Sequence, residues 1–311
     1  MTDSAKKNPE PPATGLLPIR AVSMLTGVNA VTLRAWERRY SLVTPQRTPK
    51  GHRLYTRQDV ERIKQIVDLL SQGISVSHAG PLLEQAPGET PATPAAELND
   101  IWKSYQENML SAIESFDEPA LDGAYNDALS LYPVEIVSQR LTTPLLRLLG
   151  ERWKNRETGI AEEHFFSVYL RNKLGTRIHH MNQRGGGPLL LLACLPGELH
   201  EIGLLFFALA AVNSGYRVLI LGANTPLHQI PGVLARKACA GVILSSASKP
   251  SREALETGLP ELLGRIDTPV FVGGKTSVSQ REKLEQAGAV YLGENIAAGL
   301  QLINKAINRH R

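Results

Sequence analysis

The sequence has 311 residues, 42% of them hydrophobic and 21% charged, with 26 glycines and 20 prolines, which excludes fibrous, collagen-like and wholly disordered chains and is long enough for two or three domains. The net charge of +4 is unevenly spread. Ten Lys and Arg against three Asp and Glu fall between Leu17 and Lys64, so a compact basic module is joined to a mildly acidic remainder. That is the footprint of one domain meeting nucleic acid while the other does something else, a solvated basic face being the alternative reading of charge alone.

Residues 1–16 are polar and Pro-rich and are expected to form a disordered arm. From 17 to 84 the pattern is a winged helix-turn-helix. Ile19–Leu25, the turn Thr26-Gly27-Val28 and Asn29–Tyr40 give two short helices, and RTPKGHRLYT gives a Gly-containing hairpin. On the second helix Arg34 and Arg38 share a face that can enter a major groove. Arg39 and Tyr40 lie beside them, and Lys50, His52, Arg53 and Tyr55 can follow the phosphate backbone as a wing. Leu33, Trp36 and Leu54 read as core.

Residues 85–96, QAPGETPATPAA, form a Pro-rich linker. From 97 to 184 apolar positions recur at helical spacing, with breaks near Asp117–Pro119 and at Pro133, which predicts a four-helix bundle. From 185 to 311 continuous apolar runs alternate with helical segments: PLLLLACLP, YRVLILG, GVILSSAS, PVFVGG and AVYLG are five strands of a doubly wound, flavodoxin-like parallel sheet. The chain is thus multidomain, part α and part α/β. Cys194 and Cys239 lie in apolar stretches without metal-type spacing and read as small buried hydrophobes. No run approaches the ~18 apolar residues of a membrane span, and the first residues lack the apolar core of a secretory signal. A cytoplasmic protein with no membrane partner is expected.

The loop after the first strand of the sheet, PGELHEIG, sits where open parallel sheets gather ligands. His200 can ligate a metal through one nitrogen while Glu198 holds the other, and Gly203 lets a ligand approach the backbone. A lone exposed or structural histidine is the plainer reading of that residue by itself.

Three segments carry family resemblances. TLRAWERRYSLVTPQRTPKGHRLYTRQDVERI resembles the DNA-binding domain of the MerR transcription regulators. This implies a symmetric dimer on palindromic double-stranded operator DNA. Ser41 stands where many relatives have glycine, an exchange expected to matter little. The spacing ExHxxG, then Ser245-Ser246, then Gly273-Gly274 resembles the signature of cobalamin-binding Rossmann-like domains, with Glu198 in place of the usual aspartate. The resemblance implies His200 as lower axial ligand of the cobalt, with Ser245, Ser246, Gly273 and Gly274 lining the slot for the nucleotide tail. ERWKNRETGIAEEHFFSVYL is similar to the bundle that caps cobalamin in light-sensing repressors of the CarH and LitR group. It implies Trp153 over the upper ligand and Glu163 and His164 on the adenosyl group of adenosylcobalamin.

The whole resemblance implies a repressor whose oligomeric state, dimer or tetramer, and DNA affinity change on photolysis, not an enzyme. Lys154 departs from the pattern: it stands where the best-known members have the histidine that captures cobalt after illumination. A light-independent cobalamin sensor is therefore a second reading. His179 and His180 are the other imidazoles at the end of the bundle. A cobalamin-dependent enzyme is disfavoured because no segment is long enough for a substrate barrel of about 250 residues.

Overall fold

The computed structural model describes residues 15–84, 95–153, 155–183 and 186–309. The expected arm at 1–16, apart from its last two residues, most of the 85–96 linker and Lys154 lie outside the described residues. The chain divides into two compact units, Met1–Phe166 and Ser167–Arg311.

In the first unit β1 (Leu17–Pro18), α1 (Ile19–Thr26), α2 (Ala30–Tyr40), β2 (Gln46–Arg47), β3 (Arg53–Tyr55), α3 (Arg57–Ser71) and α4 (Val76–Glu84) build the headpiece. Its antiparallel sheet has the order β1-β3-β2. Asn29 fixes the start of α2, its side-chain oxygen accepting from the amides of Val31 and Thr32 at 2.8 Å each. Thr56 and Asp59 form a reciprocal capping box at the start of α3. Val22, Leu33, Trp36, Ile63, Ile66 and Leu70 are buried together as the apolar faces of these helices.

The bundle follows as α5 (Ala95–Glu114), α6 (Glu118–Leu131), α7 (Val134–Val137), a π-turn over Ser138–Thr142, α8 (Thr143–Arg152) and α9 (Gly159–Asn182). Asp117 caps α6, and Pro133 ends that helix's run, so both expected breaks are real. The headpiece is hydrogen-bonded to this bundle. Thr32 Oγ1 and Trp36 Nε1, both on α2, donate to the carbonyls of Leu129 (2.9 Å) and Leu131 (2.8 Å) at the end of α6, and Arg140 donates to Ser71 O at 2.9 Å at the end of α3.

In the second unit β4 (Leu189–Cys194), α10 (Ile202–Asn213), β5 (Arg217–Gly222), α11 (Ile230–Arg236), β6 (Gly241–Ser245), α12 (Leu259–Leu263), β7 (Val270–Gly273), α13 (Lys275–Ser279), α14 (Arg281–Ala287), β8 (Val290–Gly293) and α15 (Ile296–Arg309) alternate as expected. The five strands are parallel in the order β5-β4-β6-β7-β8. All six residues of β4 are buried, as an interior strand of a doubly covered sheet requires. Cys194 is buried within it and Cys239 is half-buried, both unbridged.

The domain boundary differs from the glycine run at 185–187. The second half of α9 belongs with the sheet, because Asn182 clips the edge strand, donating to Val218 O at 2.8 Å and accepting from Val218 N at 2.9 Å. Gly187 lies at a backbone crossing where an added Cβ would sit 1.9 Å from Gly215 O. Gly187→Ala is expected to cost about 2 kcal/mol or more through forced displacement of β4 against β5. Urea unfolding would show this as a shifted midpoint, and an unchanged midpoint would contradict the crossing.

Candidate functional site

Two sites emerge, each within one unit. In the headpiece α2 presents Arg34 and Arg38 to solvent, and the tip of the β2–β3 hairpin presents Lys50 and His52. Glu37 of α2 pairs with Arg47 at 2.8 Å and with Arg53. Burial raises the Glu37 carboxyl, but the hydrogen bonds and charges of those two arginines outweigh it and leave it lowered. The wing is thereby held against the recognition helix, and Arg53 has a structural partner as well as a place beside the expected backbone path.

One residue of the expected interface sits elsewhere. Tyr55 is fully buried, because β3 pairs with both neighbouring strands and turns this ring into the small core; burial pushes its phenol up to about 12. Tyr55 is a core residue, not a wing contact. Arg39 is exposed and Tyr40 half-buried at the end of α2. Ser41 adopts φ 50° and closes α2 as a left-handed cap, its amide donating to Trp36 O. Glycine takes that conformation without strain, so the serine carries a cost that the sequence reading set aside.

The second site lies at the carboxyl ends of β4, β5 and β6, where strand order reverses between β4 and β6. Glu198 is 1% exposed. Its Oε1 accepts from the amide of His200 (2.8 Å) and from His200 Nδ1 (2.9 Å). Its Oε2 accepts from Ala247 N (2.7 Å), Ser248 N (2.7 Å) and Ser248 Oγ (2.8 Å). Ser246 Oγ lies farther away, at 3.4 Å, and donates to Ser248 O at 2.7 Å. Burial raises the carboxyl, but the hydrogen bonds from Ser248 and His200 win and hold it at about 2. An ionised Glu198 accepts only, so Nδ1 of His200 carries its proton and donates, which leaves the lone pair of a neutral ring on Nε2. The His200 side chain is 53% exposed.

The loop is pinned from the other flank by Asn224, which accepts from Gly197 N (2.8 Å) and donates its own amide to Glu198 O (2.8 Å). Ser245 pairs with Cys194 in the sheet and accepts from Leu195 N, while Ser246 N donates to Gly273 O. Gly274 has φ 93°, and a Cβ there would meet Ser246 O at 2.6 Å, so only glycine lets these strand ends approach. Gly203 is exposed in the first turn of α10 with open space around it.

On the bundle, Trp153 is 38% exposed at the end of α8. Glu163 is buried and bonded to His164 Nδ1 at 2.9 Å, the His164 ring being exposed. An ion cluster brackets this segment. Glu114 pairs with Arg152 (2.6 Å) and Arg156 (2.5 Å), whose hydrogen bonds lower its carboxyl, and buried Glu162 accepts from Thr158 Oγ1 at 2.7 Å. His179 and His180 are exposed, His179 lying against Gln183.

Residues 17–86 match the MerR HTH family regulatory protein, and residues 105–177 match the B12 binding domain. The chain is 32% identical over 290 residues to the HTH-type transcriptional repressor CarH of Myxococcus xanthus, covering 89% of this chain and 95% of that one. It is 30% identical over 299 residues to CarA of the same organism, covering 94% and 99%.

The chain belongs to the CarH and CarA family of MerR-type regulators. Among solved structures, the monomethylamine corrinoid protein of Methanosarcina barkeri matches with a TM-score of 0.51 at 16% identity, over 66% of this chain and 99% of that one, and shares the fold. In this CarH-like regulator the matched B12 binding segment is the helical one, α5 to α9. No described helix is long and apolar enough to cross a membrane. Sequence reading missed Asn224, Ala247, Ser248, Glu114 and Glu162; only Glu162, one residue before the EH pair, carried a local signal.

Proposed function

We propose that this protein is a light-responsive transcriptional repressor that uses adenosylcobalamin and acts on operator DNA as a homo-oligomer in the cytoplasm. The observation that carries the reading is the Glu198–His200 pair: a buried carboxylate, ionised near neutral pH, accepts the Nδ1–H hydrogen bond and so sets the tautomer that puts the ring's lone pair on Nε2. That donor chemistry fits a corrinoid cobalt, and Gly273, Gly274, Ser245 and Ser246 are the residues assigned to its nucleotide tail. Trp153, Glu163 and His164 are assigned to the adenosyl group, the indole excluding water and the Glu163 carboxylate accepting hydrogen bonds. Bound adenosylcobalamin supplies a cobalt–carbon bond that green light breaks.

The protein's part is to make assembly depend on what is bound: whichever state holds the intact cofactor more tightly is the one populated in darkness. Oligomers bind DNA with more than one headpiece, so loss of assembly weakens binding without changing a base contact. Lys154 favours the second reading, cobalamin sensing without light, because a lysine protonated near neutral pH is a poor cobalt ligand.

The test is an absorption spectrum of the full chain with adenosylcobalamin in darkness and after green light, followed by size-exclusion chromatography and gel shift on a duplex the protein itself enriches. His200→Ala is expected to keep the fold and weaken cofactor binding at least about tenfold. Wild-type spectra and affinity in that variant would remove the axial-ligand assignment. Unchanged assembly and DNA binding after illumination would leave only the light-independent reading.

A further inference from the structure

On α2, Val31, Arg34 and Arg38 are spaced i, i+3 and i+7 and form one outward stripe. The other faces of the helix are committed. Asn29 caps its start, Leu33 and Ala35 are buried in the headpiece, Thr32 and Trp36 bond to α6, and Glu37 holds the wing arginines. The stripe is therefore held at a fixed rotation about the helix axis.

Val31 is 58% exposed. A β-branched aliphatic residue there adds nothing to the headpiece core and is a poorer helix former than alanine. Its neighbours on the stripe are two cations, so the surface that fits here is anionic with an apolar spot near the start of the helix. The major groove of duplex DNA has that character, because phosphates flank it and the C5-methyl of thymine is its apolar group. In helix-turn-helix proteins the first residues of the recognition helix are the ones that reach base edges.

We propose that Val31 reads the C5-methyl group of one thymine in each half-site, with Arg34 and Arg38 anchoring the same helix on neighbouring guanine edges or phosphates. Val31 is thus a specificity residue, whereas the wing cations Lys50 and His52 bind without regard to sequence.

The test compares two libraries of the same random duplexes, one amplified with dTTP and one with dUTP, so that only the methyl group differs. The full-length wild type is expected to enrich a thymine at one position per half-site from the first library and to lose that preference, by about fourfold per site, in the second, the equivalent of one buried methyl group. Val31→Ala should show the flattened preference in both libraries while the flanking positions stay as in the wild type, and Val31→Thr, which keeps a methyl, should restore part of it. Identical wild-type preferences from the two libraries, or a Val31→Ala variant that keeps the thymine, would overturn the proposal and mark Val31 as a protein-contact residue. Failure of the wild type to enrich any sequence would instead remove duplex DNA as the partner of the whole stripe.

Discussion

Replacing Glu198 with alanine is expected to lower the stability of the second unit by about 3 kcal/mol and to abolish corrinoid binding. The size follows from the carboxyl itself. Its folded value is about 2 against an ordinary 4.5, and each unit of difference is worth roughly 1.4 kcal/mol of preference for the folded state. Removing the carboxylate also strands the amides of Ala247 and Ser248, in the loop that follows β6, and frees the His200 ring to rotate. The pH dependence has a definite sign. Because the folded value is depressed, the contribution is complete above about pH 4.5 and is lost as the pH falls towards 2. The stability difference between wild type and Glu198→Ala, read from urea midpoints across pH 6 to 3, should therefore shrink on acidification. A difference that is constant across that window would show that the fold does not depress the carboxyl below its ordinary value.

Trp36→Ala carries the second large effect. The indole is fully buried and its Nε1 donates to Leu131 O, so truncation leaves a cavity and an unbonded helix-end carbonyl. A loss of about 3–5 kcal/mol is expected for a buried tryptophan cut to alanine. Trp36→Phe separates the two contributions, since it keeps most of the apolar volume and deletes only the donor, for an expected cost of about 1 kcal/mol. Thermal unfolding of the full chain measures both. A Trp36→Ala loss below about 1 kcal/mol would mean that the headpiece does not rest on α6 in solution.

The parts of this protein that are local in sequence were readable in it. The apolar runs mark the five strands because a doubly covered parallel sheet leaves no polar face, and Pro133 and Asp117 mark helix ends by their backbone chemistry. Glu198 was legible as the partner of His200 because the two are separated by one residue on the same loop. Ser248 and Asn224 were not: their contacts with that loop exist only because β4, β5 and β6 end side by side. Tyr55 was misread because aromatic and basic residues alternate along the hairpin, and only the pairing of β3 between two strands decides which ring turns inward. The position of the second unit's boundary was likewise hidden, since a long uninterrupted helix carries no mark of the point at which its neighbours change.

The hydrogen bonds from Thr32 and Trp36 end on carbonyls that α6 cannot satisfy within itself. The second helix of the helix-turn-helix thus caps the C-terminus of a bundle helix, and the two modules are not freely interchangeable. A chimera that grafts another regulator's headpiece onto this bundle inherits an unfinished helix end unless the donor carries hydrogen-bond donors at the positions of Thr32 and Trp36, so shuffling of such modules is constrained at two side chains on the buried face of α2.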